Sequence, residues 1–102
     1  MAMIRACSYN CSIKTPEAPA EYSKLLVSIA QNGQTLINKT EEDLQTTADS
    51  VLVQLTQEET RLFKAPGKAY LQLRCYKSAY NAPGSKLFSI DVWPANNDEV
   101  LA

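Results

Sequence analysis

Three cysteines, eleven acidic residues, five tyrosines and no histidine bound the chemistry open to this 102-residue chain. Without histidine the commonest general base is missing, and with it the Ser-His and Cys-His pairs that activate nucleophiles. A carboxylate pair could still act as acid and base. Glu41, Glu42, Asp43, Glu58, Glu59, Asp91 and Asp98 fall in loops, on a helical turn or on polar strand faces, none beside a recognisable cleft. Gly33, Gly67 and Gly84 each sit at a turn, so no glycine-rich loop can cradle a phosphate. The run Glu41-Glu42-Asp43 lacks the alternating oxygens and central glycine of a calcium loop and reads as solvated, with Leu44 dipping onto the core. The expectation is a non-enzymatic protein with no cofactor.

Cys7, Cys11 and Cys75 offer little more. An odd count argues against a full disulfide framework. Cys7 and Cys11, four residues apart on one strand, would be separated by roughly 13 Å, beyond the ~7 Å Cα limit of a disulfide. Either could meet Cys75 across neighbouring strands. Zinc is disfavoured by the missing histidines and the lack of a Cys-x-x-Cys pair. The plain reading is three small buried hydrophobes.

The side chains best suited to a task are aromatic. Tyr70, Gln72, Arg74 and Tyr76 alternate along one strand, and Trp93 ends another. Tyr, Trp and Arg join apolar area to hydrogen-bonding tips and recur where proteins meet. Tyr70, Arg74, Tyr76 and Trp93 are therefore the candidate interface; the plainer alternative is a face partly covered by loops.

These residues need a β scaffold to hold them, and the chain reads as one. From Cys7 to Lys14 the apolar face is Cys7, Tyr9, Cys11 and Ile13, with period two. Thr15 to Pro19 breaks this strand. Tyr22 to Gln31 follows, with Leu25, Val27 and Ile29 on one face. Asn32-Gly33 is suited to the positive φ angles of a type I′ hairpin turn. Gln34 to Thr40 should return antiparallel, with Leu36 or Ile37 inward. Val51 to Leu55 is a further strand. Thr56 and Glu59 then form a Thr-x-x-Glu capping box opening a short helical turn near 57–63. Lys68 to Lys77 buries Ala69, Leu71, Leu73 and Cys75, and Lys86 to Trp93 buries Phe88, Ile90 and Val92. Strands at roughly ten-residue spacing with turn signals between them predict an all-β fold, an antiparallel immunoglobulin-like β-sandwich. One domain, 1–102, is expected, with 96–102 as a mobile tail.

Ten basic against eleven acidic residues leave a net charge of −1. That supplies no general field for nucleic acid or membrane, and the denser group Lys64, Lys68, Arg74 and Lys77 reads as a solvated strand face. No stretch approaches the ~20 apolar residues that span a bilayer. Met1 to Ala6 has one basic residue and no apolar core, so no signal peptide is expected.

The run Val53-Gln54-Leu55-Thr56-Gln57-Glu58-Glu59-Thr60, then Leu62-Phe63, Gly67 and Leu71-Gln72-Leu73-Arg74, resembles a pattern in small proteins of phages and prophages of Gram-positive bacteria. The chain is similar to the immunoglobulin-like N-terminal domain of phage baseplate upper proteins. The Cys7–Ile13 strand, the Asn32-Gly33 hairpin, the run Thr40-Glu41-Glu42-Asp43 and the strand Phe88 to Trp93 fit it as well. The chain departs at its start, where Ile4-Arg5-Ala6-Cys7-Ser8-Tyr9 replaces an Arg-Gly-Thr-Thr-Pro-like segment. The resemblance implies a structural or accessory protein of a tail or baseplate. It would be made in the bacterial host cytoplasm, carried in the virion if assembled, and partnered by other virion or prophage proteins or by copies of itself. It implies no catalytic residue. The alternative function is a small adhesion or carbohydrate-binding β-sandwich, with exposed Tyr and Trp stacking on sugar rings.

Overall fold

Period-two alternation builds two sheets that turn their apolar faces toward each other. The computed structural model describes residues 2–101; Met1 and Ala102, the ends of the expected domain and tail, lie outside them. The strands are β1 (Ala2–Ile4), β2 (Tyr9–Lys14), β3 (Lys24–Gln31), β4 (Gln34–Thr40), β5 (Gln45–Thr46), β6 (Ser50–Leu55), β7 (Gly67–Tyr76) and β8 (Phe88–Trp93). One sheet runs β1-β8-β7-β3-β4 and the other β2-β6-β5. Every pairing is antiparallel except β1 with β8, which is parallel.

The core lies between the sheets. Val27 and Ile29 of β3, Ala69 and Leu71 of β7, and Ile90 and Val92 of β8 meet Val51 and Val53 of β6, all fully buried. Each of these Val, Leu and Ile side chains contributes about 1.5–3 kcal/mol on leaving water. Phe88, expected inward, is only partly buried, and β8 begins there rather than at Lys86.

The β3–β4 hairpin turns on Asn32 (φ 55°) and Gly33 (φ 77°), as a type I′ turn requires. The register shifts between Ile29 and Ala30, where Ile29 faces Ile37 and Ala30 faces Thr35. Leu36 is the extra residue of this bulge. The bulge decides between the two candidates for the inward position: Ile37 is buried and Leu36 only partly so.

After β6 the chain enters helix α1 (Gln57–Thr60). The Glu59 N–H donates to Thr56 Oγ1 at 3.2 Å, and the Thr56 N–H donates to Glu59 Oε1 at 3.0 Å. Both halves of the capping box are therefore closed, and two N–H groups that a helix start leaves unpaired are satisfied. The turn lays Thr60 and Phe63 into the interior. The buried Thr60 hydroxyl donates to the Cys7 carbonyl at 2.9 Å.

Four features depart from the periodicity. Cys7 is exposed and lies in the turn between β1 and β2, not on the strand. Ala6 adopts φ 67° there, and the Cys7 N–H donates to the Ile4 carbonyl. Cys7 keeps phase with Tyr9, so alternation alone extends the strand too far. β1 forms because Met3, fully buried, pairs beside Val92; with one inward residue it has no period to detect. β5 is two residues long with both exposed, so it too offers no period to detect. Pro19–Glu21 makes a further short 3₁₀ turn, with Pro19 buried.

Beyond Pro94 the chain lies back on the body. Asp98 forms an ion pair with Arg5. The Leu101 N–H donates to Gln57 Oε1 at 2.8 Å, and Gln57 Nε2 donates to the Leu101 carbonyl at 2.9 Å.

Candidate functional site

β7 is flanked by β3 from Tyr70 to Tyr76 and by β8 from Gly67 to Leu71; its inward residues pack into the core and its outward ones form a row on the other face. Ala69, Leu71, Leu73 and Cys75 are buried; Tyr70 and Tyr76 are each 44% exposed, and Arg74 is exposed between them. Tyr70 and Tyr76 are six positions apart, roughly 20 Å along the strand.

Register sets the neighbours of each. Tyr70 lies between Ala30 of β3 and Ser89 of β8, both small. A groove of about 510 Å³ opens there, bounded by Asn32, Thr35, Lys68, Tyr70 and Leu87. Arg74 faces Leu26, and Tyr76 faces Lys24, whose Nζ sits 5.9 Å from the ring centroid. That distance is within reach of a cation–π attraction. A second groove of about 480 Å³ lies at this end, bounded by Lys24, Leu26, Glu41, Arg74 and Tyr76. Glu41 Oε2 accepts from the Leu25 N–H at 3.2 Å. Backbone N–H groups, its own and that of Leu25, hold the Glu41 carboxyl below its ordinary pKa. Arg74 forms no ion pair among the described residues. Its guanidinium can therefore take an incoming carboxylate or carbonyl.

Trp93 shares the outward side but not the row. β7–β8 pairing ends at Gly67 opposite Val92, so Trp93 falls past the start of β7. Its neighbour is Ile4 of β1, and the two are 54% and 43% exposed. The structure thus brings Arg74 and Tyr76 to one groove, leaves Tyr70 at the other on the same face, and places Trp93 with Ile4 at the far end. Lys24, Leu26 and Glu41 complete the groove at Tyr76. Sequence reading missed them because their position depends on cross-strand register, which no local pattern reveals.

Tyr9, Cys11 and Cys75 carry raised pKa values. Burial, then the charge and hydrogen bond of neighbouring Cys11, push the Tyr9 phenol up to about 12. Burial also raises the Cys11 thiol, partly offset by a hydrogen bond from Tyr9, and raises the Cys75 thiol. Thiols shifted upward are less nucleophilic at neutral pH. All three cysteines are free. Among the described residues no group of three or more His, Cys, Asp or Glu could hold a metal ion. No helix in them is long and apolar enough to cross a membrane.

No family model matches the chain, and no curated protein matches it by sequence. Solved structures do match by shape. The immunoglobulin-like domain of mouse leukocyte-associated immunoglobulin-like receptor 1, a strand-swapped dimer, aligns with a TM-score of 0.54 at 10% identity, over 90% of this chain and 85% of that one. The extracellular domain of the same mouse receptor, again a strand-swapped dimer, gives 0.52 at 10% identity, over 89% and 84%. The V domain of amphioxus IgVJ-C2 gives 0.41 at 10% identity, over 91% and 99%. The mouse domains show the fold: this chain is an immunoglobulin-like β-sandwich.

Proposed function

We propose that this chain is a non-enzymatic assembly protein that joins other proteins through the outer face of its five-stranded sheet. The observation that carries this is the exposed row of Tyr70, Arg74 and Tyr76 on a strand whose inner side is buried from Ala69 to Cys75. A rigid sheet presents these side chains with little ordering cost on binding. Aromatic and Arg side chains supply most of the energy at such contacts. Such a face, with no activated nucleophile beside it, serves recognition rather than catalysis.

The setting we propose is a phage or prophage tail or baseplate. Support for it is the resemblance carried by Val53 to Thr60 and Leu71 to Arg74. On this reading the chain is made in the host cytoplasm and reaches the outside within a virion. Self-association belongs to the same reading, since the mouse domain of like fold is a strand-swapped dimer. Carbohydrate binding is the second reading. The groove at Tyr76 favours it, because an aromatic ring beside Glu41 and Arg74 can stack on and hydrogen-bond a sugar.

Replacing Tyr70 and Tyr76 together by Ser tests the proposal. The variant should lose complexes with tail or baseplate proteins of the same genome in sedimentation while keeping its β circular dichroism. Complexes that survive the double change would overturn the outer-face reading. A glycan array in which the unaltered chain binds and Tyr76→Ser does not would favour the second reading instead.

A further inference from the structure

We propose that the open edge of β2 pairs with β2 of a second copy, antiparallel about a two-fold axis, joining two three-stranded sheets into one. In the seven-strand immunoglobulin arrangement a first strand lies outside the second and covers its edge. Here β1 pairs with β8 in the other sheet, and among the described residues β2 is outermost beside β6.

The groups on that edge follow from the ladder. The Thr15 N–H donates to the Asp49 carbonyl at 3.0 Å, continuing the register in which Ile13 faces Val51. Antiparallel residues alternate between bonded and unbonded pairs. Tyr9, Cys11 and Ile13 therefore bond to β6, and the N–H and C=O groups of Asn10, Ser12 and Lys14 point away from it. All three residues are exposed. Beside the end of the strand a cleft of about 130 Å³ opens between Lys14, Pro16, Leu73 and Pro83.

Sheets guard their edges by brevity, bulges, inward charges, and Lys or Pro on the edge itself. β1 has three residues and β5 has two. β4 carries the register shift and directs Lys39 to Glu59. β2 is neither short nor bulged and carries no inward charge: six residues hold an unbroken register, and the apolar side is Tyr9, Cys11 and Ile13. Lys14, at its end, is its only charge.

A second copy fits because the edge is self-complementary. With Ser12 on the axis, Asn10 of one copy faces Lys14 of the other, and every outward N–H meets an outward carbonyl. Cys11 faces Ile13 on the apolar side. Each Lys14 meets a neutral Asn10, so no like charges oppose. A two-fold contact uses the same edge on both partners and closes at a dimer. This contact lies on the other sheet from Tyr70 and Tyr76 and does not rest on the proposed function.

The test combines sedimentation with amide hydrogen exchange of the 102-residue chain over a concentration series. A dimer is expected, with the Asn10, Ser12 and Lys14 amides protected at high concentration only and the Cys11 and Ile13 amides protected at both. Ser12→Pro removes an outward N–H that β6 does not use, so the fold is retained. It should raise the dissociation constant at least about tenfold. A chain monomeric at high concentration, outward amides that exchange equally fast throughout, or a folded Ser12→Pro variant that dimerises as well as its parent would each overturn the pairing. Should Ser12→Pro fail to fold, the exchange pattern decides alone. Association abolished by Tyr70→Ser with Tyr76→Ser, with the three outward amides unprotected, would support the outer face and overturn the edge.

Discussion

Lys39 of β4 reaches Glu59 of the capping turn, with Nζ 3.0 Å from Oε1 and 2.7 Å from Oε2. The same carboxylate accepts the Thr56 N–H, so one side chain ties the edge of the five-stranded sheet to the turn that follows β6. Lys39 pairs in register with Val27, whose side chain is in the core, which places this ion pair on the inner side of the β4 edge rather than on the outer face.

Acid should release this contact. Partial burial raises the Glu59 pKa, but hydrogen bonds from Lys39 and Thr56 and the Lys39 charge outweigh it, leaving it below the ordinary 4.5. Folded protein then binds fewer protons here than unfolded protein does. The contribution to stability is full above pH 4.5 and is lost as pH falls through the folded value. Glu59→Gln keeps an acceptor for the Thr56 N–H and should cost about 1 kcal/mol at neutral pH while flattening the acid limb. Denaturant midpoints from pH 3 to 7 check this; an unchanged acid limb would remove the role.

Thr56→Ala leaves the Glu59 N–H without its acceptor. A loss of about 0.5–2 kcal/mol is expected in urea unfolding, with no change in slope.

Gly33 has φ 77° and open space where a Cβ would stand. Gly33→Ala should therefore cost only the left-handed backbone, about 1–2 kcal/mol, with no steric addition. Thermal unfolding measures it, and a neutral result would mean the turn relaxes.

The three thiols should label in sequence. Cys7 is exposed, Cys11 partly buried and Cys75 buried. With a neutral maleimide, native protein should lose Cys7 first and Cys75 last, read by peptide mass. Simultaneous labelling would contradict the placement of Cys7 outside the strand.

Local chemistry was enough to determine the strands from β2 to β4, β6 and β7, the Asn32-Gly33 turn and the Thr56–Glu59 box. In each, neighbouring residues carry the whole signal: a period of two, a positive-φ pair, or a cap reaching three positions. The inward side chains Leu25, Val27, Ile29, Val51, Val53 and Leu71 were legible for the same reason. Tertiary structure alone decided that β1 leaves β2 and pairs parallel with β8, that Cys7 faces solvent, and that Lys39 meets Glu59. It also decided that Trp93 sits with Ile4 while Lys24 and Glu41 join Tyr76. Those are matters of register and sheet order. They depend on contacts between residues far apart in the chain, whose energies a local pattern does not contain.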